Sequence, residues 1–147
     1  MKQAKLFTIG FTKKSAEEFF SRLQTAGVKR VIDVRLNNVS QLAGFAKRDD
    51  LAYFLKALCD CEYRHEPLLA PTKEILDGYK KKQIGWEAYE KRFVKLLDER
   101  QAHRLVTPDE LREACLLCSE PMPGKCHRRL VAEFFTLNFE CLEIYHL

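Results

Sequence analysis

The fold is decided by residues 6–34, which read LFTIGFTKKSAEEFFSRLQTAGVKRVIDV. Apolar runs at residues 6–9 and 31–34 predict two short, buried strands. Between the strands, apolar side chains at the spacing of successive helical turns predict one buried helix face, formed by Ala16, Phe19, Phe20 and Leu23. A strand, a helix and a strand within about 30 residues form a βαβ unit, so the two strands should be parallel and joined by a right-handed crossover.

Three polar or small residues mark where the first two helices should begin or end. Ser15 stands three residues before Glu18, which is the spacing of a capping box, and Gly27 suits the position just past the last turn. Asp49 or Asp50 is the predicted cap of the next helix.

The remaining chain continues to alternate helical and strand patterns. Helical faces are predicted within residues 51–58, 72–82, 86–101 and 130–135, and Thr107-Pro108-Asp109-Glu110 should begin a short helix. Strands are predicted at residues 61–65, 114–118 and 141–145, and loops at residues 35–48 (including Ser40) and 119–125 (including Pro121 and Pro123). The pattern predicts a single three-layer α/β domain over residues 1–147, with a mostly parallel sheet and helices on both faces.

The composition is typical of an ordinary folded domain. Of the 147 residues, 46% are hydrophobic and 31% are charged with mixed sign, which is enough apolar material for one core. No apolar run approaches the roughly 20 residues that span a bilayer, and the run after Met1 and Lys2 is too short for a signal peptide. We therefore expect a cytoplasmic protein with no membrane partner, in which the six cysteines are free, mostly buried thiols.

The excess of positive over negative charge lies in the first part of the chain. The net charge is +4, and residues 1–60 hold 11 of the 25 Lys and Arg but only 6 of the 21 Asp and Glu. An anionic partner should approach that part of the protein. A small anionic ligand or a nucleotide is the expected partner, and nucleic acid is the alternative.

Polar residues gather where the predicted strands end. Ligands of open parallel sheets bind outside the carboxyl ends of the strands. The polar or small residues at these ends are Thr8, Gly10 and Thr12; Asp33, Arg35, Asn37 and Asn38; His65 and Glu66; and Ser119 and Glu120.

The segment Gly124-Lys125-Cys126-His127-Arg128-Arg129 opens the last predicted helix. Helical spacing places Cys126 and His127 on the inward face, while Arg129 falls four residues before Glu133 and should form a surface ion pair. The positive end of the helix dipole and the neighbouring cations favour a thiolate at Cys126 and suit a bound anion. The alternative is structural: Cys126 is then a small buried hydrophobe, and His127 bonds to a backbone carbonyl.

Asp33 and Arg35 are two residues apart, so on a strand they share a face. Their pairing has two interpretations. Arg35 either staples the loop through Asp33, or it offers its planar guanidinium to an anionic ligand while Asp33 holds it in place.

Several cysteine and lysine patterns are weaker signals. Cys115 and Cys118 match a redox or zinc spacing, but on a strand they should point to opposite faces. A metal or redox site built from Cys118, Cys126 and His127 stays open as an alternative, although no metal is assigned. The lysines at residues 80–82 should form a solvated helix end. No Walker or GxGxxG loop is present, and no cofactor is expected.

Motifs along nearly the whole chain resemble those of the domain of unknown function 488 family. The motifs on which the resemblance depends are TIGFT at residues 8–12, VIDVR at 31–35, YRHEP at 63–67, LLCSE at 116–120 and CHR at 126–128. The resemblance implies a shared site on these loops but no assigned activity. Many relatives have His where this chain has Phe11 and Ser where it has Thr12, which puts in doubt any catalytic role carried over at that position.

The leading hypothesis is a small enzyme, a hydrolase or a transferase, that acts on an anionic, phosphate- or nucleotide-containing substrate. Arg35 and Arg128 would recognise charge, and the backbone at Gly10 and Gly124 would allow close approach. Glu120 and His127 are candidates for proton transfer, and Cys126 is either a nucleophile or a neighbour that orients His127. Thr8, Asp33 and His65 complete the predicted ligand-binding set. The rival hypothesis of a nucleic-acid binding module depends on basic residues of the first part of the chain: Lys13, Lys14, Lys29, Arg30, Lys47 and Arg48.

Overall fold

In the part of the chain that the structure describes, five parallel strands form one sheet, and the strands at residues 62–65, 30–33, 114–118, 4–10 and 142–146 lie side by side in that order. The structure is a computed structural model that describes residues 3–38, 44–120 and 124–147. Three residues of the predicted loops, Ser40, Pro121 and Pro123, lie outside these ranges. The strands are β1 (Ala4–Gly10), β2 (Arg30–Asp33), β3 (Glu62–His65), β4 (Ala114–Cys118) and β5 (Leu142–His146). The predicted α/β class is confirmed, and the sheet is entirely parallel.

Within the described ranges, six α-helices connect the strands. They are α1 (Ala16–Ala26), α2 (Arg48–Cys59), α3 (Lys73–Lys80), α4 (Trp86–Glu99), α5 (Pro108–Leu111) and α6 (His127–Asn138). Ser15 caps α1 by accepting the Glu18 N–H, and Gly27 ends that helix in the left-handed conformation at φ 74°. The prediction that Asp49 or Asp50 caps α2 is wrong, because both lie inside the first turn and Lys47 precedes the helix without a side-chain cap.

The first and second strands are parallel, as predicted, but they are not neighbours. The crossover through α1 skips one position, and β4 fills it from much later in the chain. Gly10 is thereby paired with Cys118, and Asp33 with Leu117. The carboxyl ends of β1, β2 and β4 therefore lie side by side at the centre of the sheet.

The sheet separates two apolar layers. Phe7, Ile9 and Cys115 pack with α1 and α2 on one face. Leu6, Leu116 and Cys118 pack with α4 and α6 on the other face. Cys115 and Cys118 thus point in opposite directions, because side chains alternate along a strand. Among the described residues, every helix is too short or too polar to cross a bilayer.

Candidate functional site

A hollow of about 300 Å³ opens where β1, β2 and β4 end. The loops after these strands contribute Phe11, Arg35 and Glu120 to its wall, and the start of α6 contributes Cys126 and His127. Arg35 and the Cys126–His127 pair come from segments that are far apart in the sequence. The topology brings them together because β2 and β4 are adjacent in the sheet.

Arg35 is held by a buried ion pair. Its Nε lies 2.9 Å from Oδ1 of Asp33 and its Nη2 lies 2.7 Å from Oδ2, so the contact is bidentate. Nη2 also donates to the carbonyl of Ala46, and Tyr63 donates its hydroxyl to Asp33 at 2.6 Å. The buried Nη1 has no hydrogen-bond partner among the described residues. Asp33 therefore fixes Arg35, which both sequence interpretations require, and the binding of an anion by Arg35 stays a prediction.

Phe11 forms a flat apolar support beneath this guanidinium. The Arg35 Cζ atom lies 5.2 Å from the centre of the Phe11 ring, in cation–π range. Position 11 therefore supplies an aromatic surface to the hollow and no acid–base group.

A disulfide bond joins Cys118 and Cys126 at the hollow. Cys118 ends β4, and Cys126 is the residue before α6. The prediction that all six cysteines are free thiols is therefore wrong for these two residues, whereas Cys59, Cys61, Cys115 and Cys141 are free. One ligand atom each of Cys118, Cys126 and His127 lies within 4.8 Å of the other two. The fold therefore assembles the cysteine–histidine cluster that the sequence left open as an alternative.

His127 is oriented by the backbone of the strand next to it. Its Nε2 lies 2.6 Å from the carbonyl oxygen of Val34, and its ring meets Phe93 edge-on with the centroids 5.7 Å apart. Burial lowers the pKa of the imidazole to about 4. The ring is consequently neutral at neutral pH and accepts a proton less readily than a solvated imidazole.

Arg128 is fully buried behind the cluster and does not line the hollow. Its Nη1 donates to the carbonyl of Glu120 at 2.6 Å and to Sγ of Cys118 at 3.2 Å, and its Nε donates to the hydroxyl of Thr8 at 3.3 Å. Within the described part of the chain no carboxylate lies in ion-pair range of it. Burial lowers the pKa of this guanidinium to about 10, so it remains a cation at neutral pH. Its charge acts on the cluster from inside the protein.

The other predicted site residues lie around the hollow without lining it. Thr8 and Gly10 are buried in β1, and His65 holds the backbone of the loop by bonding through Nε2 to the carbonyl of Arg35 at 2.8 Å. A Cβ atom at Gly10 would collide with the carbonyl of Glu120, so this glycine allows two backbone segments of the protein to approach each other. Gly124 is exposed. The predicted surface pair is present, with Arg129 Nη1 2.9 Å from Glu133.

The opposite wall of the hollow was missed by sequence reasoning. It consists of side chains from α3 and α4, chiefly Tyr79, Lys80, Trp86 and Tyr89. The rings of Trp86 and Tyr89 are stacked with their centroids 5.1 Å apart, and Tyr79 lies 4.9 Å from Tyr89. The helical spacing of Trp86 and Tyr89 indicated a core-facing stripe and gave no sign that one edge of the stripe borders a cavity.

The basic residues of the first part of the chain do not form one face. Lys29 and Arg30 stand at the amino end of β2, where they pair with Glu113 and Glu62. Lys13 and Lys14 follow the carboxyl end of β1, at the opposite edge of the sheet. The charge excess seen in the sequence is therefore divided between two edges.

The fold and the cluster define a parallel α/β domain with a cysteine–histidine site at the carboxyl ends of its central strands. A family model described as Domain of unknown function DUF488 matches residues 15–135. The chain belongs to this family, so the family predicted from its motifs is confirmed. No curated protein and no solved structure shows significant similarity to the chain.

Proposed function

We propose that this protein is a small enzyme, a hydrolase or a transferase, whose hollow binds a compact anionic substrate with a flat ring, such as a nucleoside monophosphate. The observation that supports this most is the unused donor of Arg35. A buried guanidinium N–H without a partner costs free energy, and an anionic oxygen from a ligand would remove that cost.

The charges around the hollow favour an anion. Arg35, Lys80 and Lys125 line it, and Glu120 carries the one carboxyl group among the described lining residues. Lys80 and Lys125 are exposed, so they would meet a phosphate group as it enters, while Arg35 would bind it at the base.

The size and the wall of the hollow favour a ring of modest size. A volume of about 300 Å³ stands at the lower end of the range for small-molecule pockets. Trp86 and Tyr79 present aromatic surface on which a base can stack, an interaction worth about 1–3 kcal/mol per base.

Within this proposal, proton transfer falls to Glu120. Its carboxylate lines the hollow and is exposed, whereas the Nε2 of His127 is already engaged with Val34. We do not extend the proposal to nucleic acid, because the basic residues on which that rival depends are divided between two edges of the sheet. One catalytic domain over the whole chain and a cytoplasmic location complete the proposal; both derive from the sequence.

The test is a binding screen with nucleoside monophosphates, inorganic phosphate and the corresponding free nucleosides. Thermal shift would identify binders, and calorimetry would give the Kd. At least one monophosphate should bind more tightly than its nucleoside. Lys80→Gln or Lys125→Gln should each weaken that binding by up to about fivefold, because an exposed charge pair is worth up to about 1 kcal/mol and 1.4 kcal/mol is a factor of ten.

Lys81→Gln is the matched control, since Lys81 is exposed at the same end of α3 but does not line the hollow. Equal weakening by the control would assign the effect to general charge. A panel in which neither phosphate nor any nucleotide binds would end the proposal.

A further inference from the structure

We propose that, after a thiol reductant has reduced the Cys118–Cys126 disulfide to two thiols, Cys118, Cys126 and His127 form a binding site for a zinc-class divalent ion, with one coordination position open toward the hollow. The inference goes beyond the anion pocket and does not depend on it. Two thiolates and one imidazole are the donor types that zinc prefers.

The spacing of the cluster suits a shared ion. Zinc–sulfur and zinc–nitrogen bonds are about 2.0–2.3 Å long, so the ligand atoms of a tetrahedral site lie roughly 3.5 Å apart. The three ligand atoms here are all within 4.8 Å of one another. The Cα atoms of Cys118 and Cys126 are 7.7 Å apart, whereas directly bonded cysteines usually have Cα atoms about 4.4–6.8 Å apart. Once the disulfide is reduced and the two sulfurs separate, an ion between them fits the wider backbone spacing.

The hydrogen bond of His127 leaves one ring nitrogen available for coordination. A carbonyl oxygen only accepts, so Nε2 must carry the proton that it shares with Val34 at 2.6 Å. Nδ1 then keeps its lone pair. Metal-bound histidines usually donate their other ring N–H to a carbonyl or carboxylate, which fixes the tautomer and the orientation of the ring.

Arg128 provides independent evidence for negative charge at the cluster. A fully buried guanidinium needs a compensating anion, yet the described residues offer it no carboxylate. Its Nη1 is 3.2 Å from Sγ of Cys118, and its Nη2 has no partner among the described residues. A thiolate at Cys118, as metal ligation requires, supplies that anion. Arg128 is thus a positioning residue that stabilises the ligand thiolate.

The site is closed on the protein side and open on the other. Cys118 and Cys126 are buried, but all three ligands line the hollow. Three protein ligands with an open fourth position are the arrangement of catalytic rather than structural zinc sites. A water molecule at that position would lose its proton more readily than in bulk water.

The experiment measures metal alone, with no nucleotide present, so its result is separate from that of the binding screen. Protein purified without chelator under reducing conditions is loaded with Zn²⁺ or Co²⁺, desalted and assayed by elemental analysis and absorption spectroscopy. About one equivalent of metal is expected. The Co²⁺ form should show thiolate-to-metal charge-transfer bands and the intense visible bands of a tetrahedral ion.

Cys118→Ser, Cys126→Ser and His127→Ala should each lower the stoichiometry and remove or shift these bands. Cys141→Ser, which changes an exposed cysteine outside the cluster, should leave them unchanged. Circular dichroism would establish that each variant is folded. The proposal is overturned if reduced wild-type protein retains no metal, or if the cluster variants retain as much as the Cys141→Ser control.

Discussion

Replacing Asp33 by Asn should destabilise the protein strongly, because this carboxylate holds the buried side of the hollow. It accepts four hydrogen bonds: the backbone N–H of Arg35 at 3.1 Å, the Nε and Nη2 of that arginine at 2.9 and 2.7 Å, and the Tyr63 hydroxyl at 2.6 Å. An asparagine of the same shape keeps one acceptor oxygen and turns an NH₂ group toward two of these donors. The change also leaves the buried Arg35 cation without its counter-charge.

The expected cost follows from that loss. Removing one partner of a buried ion pair costs about 3–5 kcal/mol. For a chain of this size 1 kcal/mol corresponds to about 2–4 °C, so the melting temperature should fall by roughly 10 °C. Urea denaturation followed by circular dichroism measures the free energy of unfolding directly.

Glu62→Gln is the matched control for this prediction. Glu62 also faces an arginine, with both Nε and Nη2 of Arg30 bonded to one of its oxygens, but 67% of its side chain is exposed. An exposed pair is worth at most about 1 kcal/mol. A loss for Asp33→Asn no larger than the loss for the control would refute the argument that the pair is buried and holds Arg35 in place.

Three further changes test other parts of the structure. Gly10→Ala should lower the free energy of unfolding, measured by urea denaturation, by about 1–3 kcal/mol, because its Cβ would overlap the backbone after β4. Gly44→Ala is the control and should leave the free energy of unfolding unchanged, because its Cβ meets nothing within 4 Å. Equal effects of the two changes would contradict the close approach of the backbone to Gly10. Iodoacetamide should modify Cys141 rapidly in the folded protein and Cys115 only after unfolding, and mass spectrometry would identify the modified residue. The reason is that Cys141 is exposed, while burial raises the pKa of the Cys115 thiol. Early modification of Cys115 would show that the sheet opens locally. Thr107→Ala should cost about 1 kcal/mol by removing the capping box of α5, and an unchanged unfolding midpoint would contradict that role.

Local signals in the sequence were sufficient for most of the elements. The strand at residues 114–118 was predicted with its observed bounds, and the Thr107–Glu110 capping box is formed as expected. Both depend on interactions within a few residues. The predicted cap of α2 was wrong because local spacing allowed either aspartate to precede the helix. In the structure the helix begins at Arg48, one residue before Asp49.

Pairing between distant segments could not be predicted in the same way. Nothing in residues 6–34 indicates that β4 separates the first two strands. The sequence predicted Arg35 on the loop after the second strand, and Cys126 and His127 at the start of the last helix. It could place all three at the carboxyl ends of the strands, because the loops and helix starts that follow parallel strands lie at that edge of the sheet. Whether Arg128 points into the hollow or away from it depends on how α6 packs against β1 and β4, which spacing along one helix does not specify. The aromatic wall from α3 and α4 was missed for the same reason.

The central position of β4 governs the order in which this molecule can be assembled. β1 and β2 flank β4 and do not pair with each other. Until residues 114–118 leave the ribosome, β2 therefore has one unpaired edge beside its pairing with β3, and β1 has two, because β5 also follows β4 in the chain. For most of its synthesis the nascent chain therefore holds β1 and the β2–β3 pair as separate pieces, whose unpaired edges can associate with other chains. Sequence-distant pairing of this kind slows folding, and the same late insertion of β4 brings Cys118 to the site. The cysteine–histidine cluster therefore forms only after β4 and the start of α6 have been made, so a nascent chain that ends before β4 does not carry it.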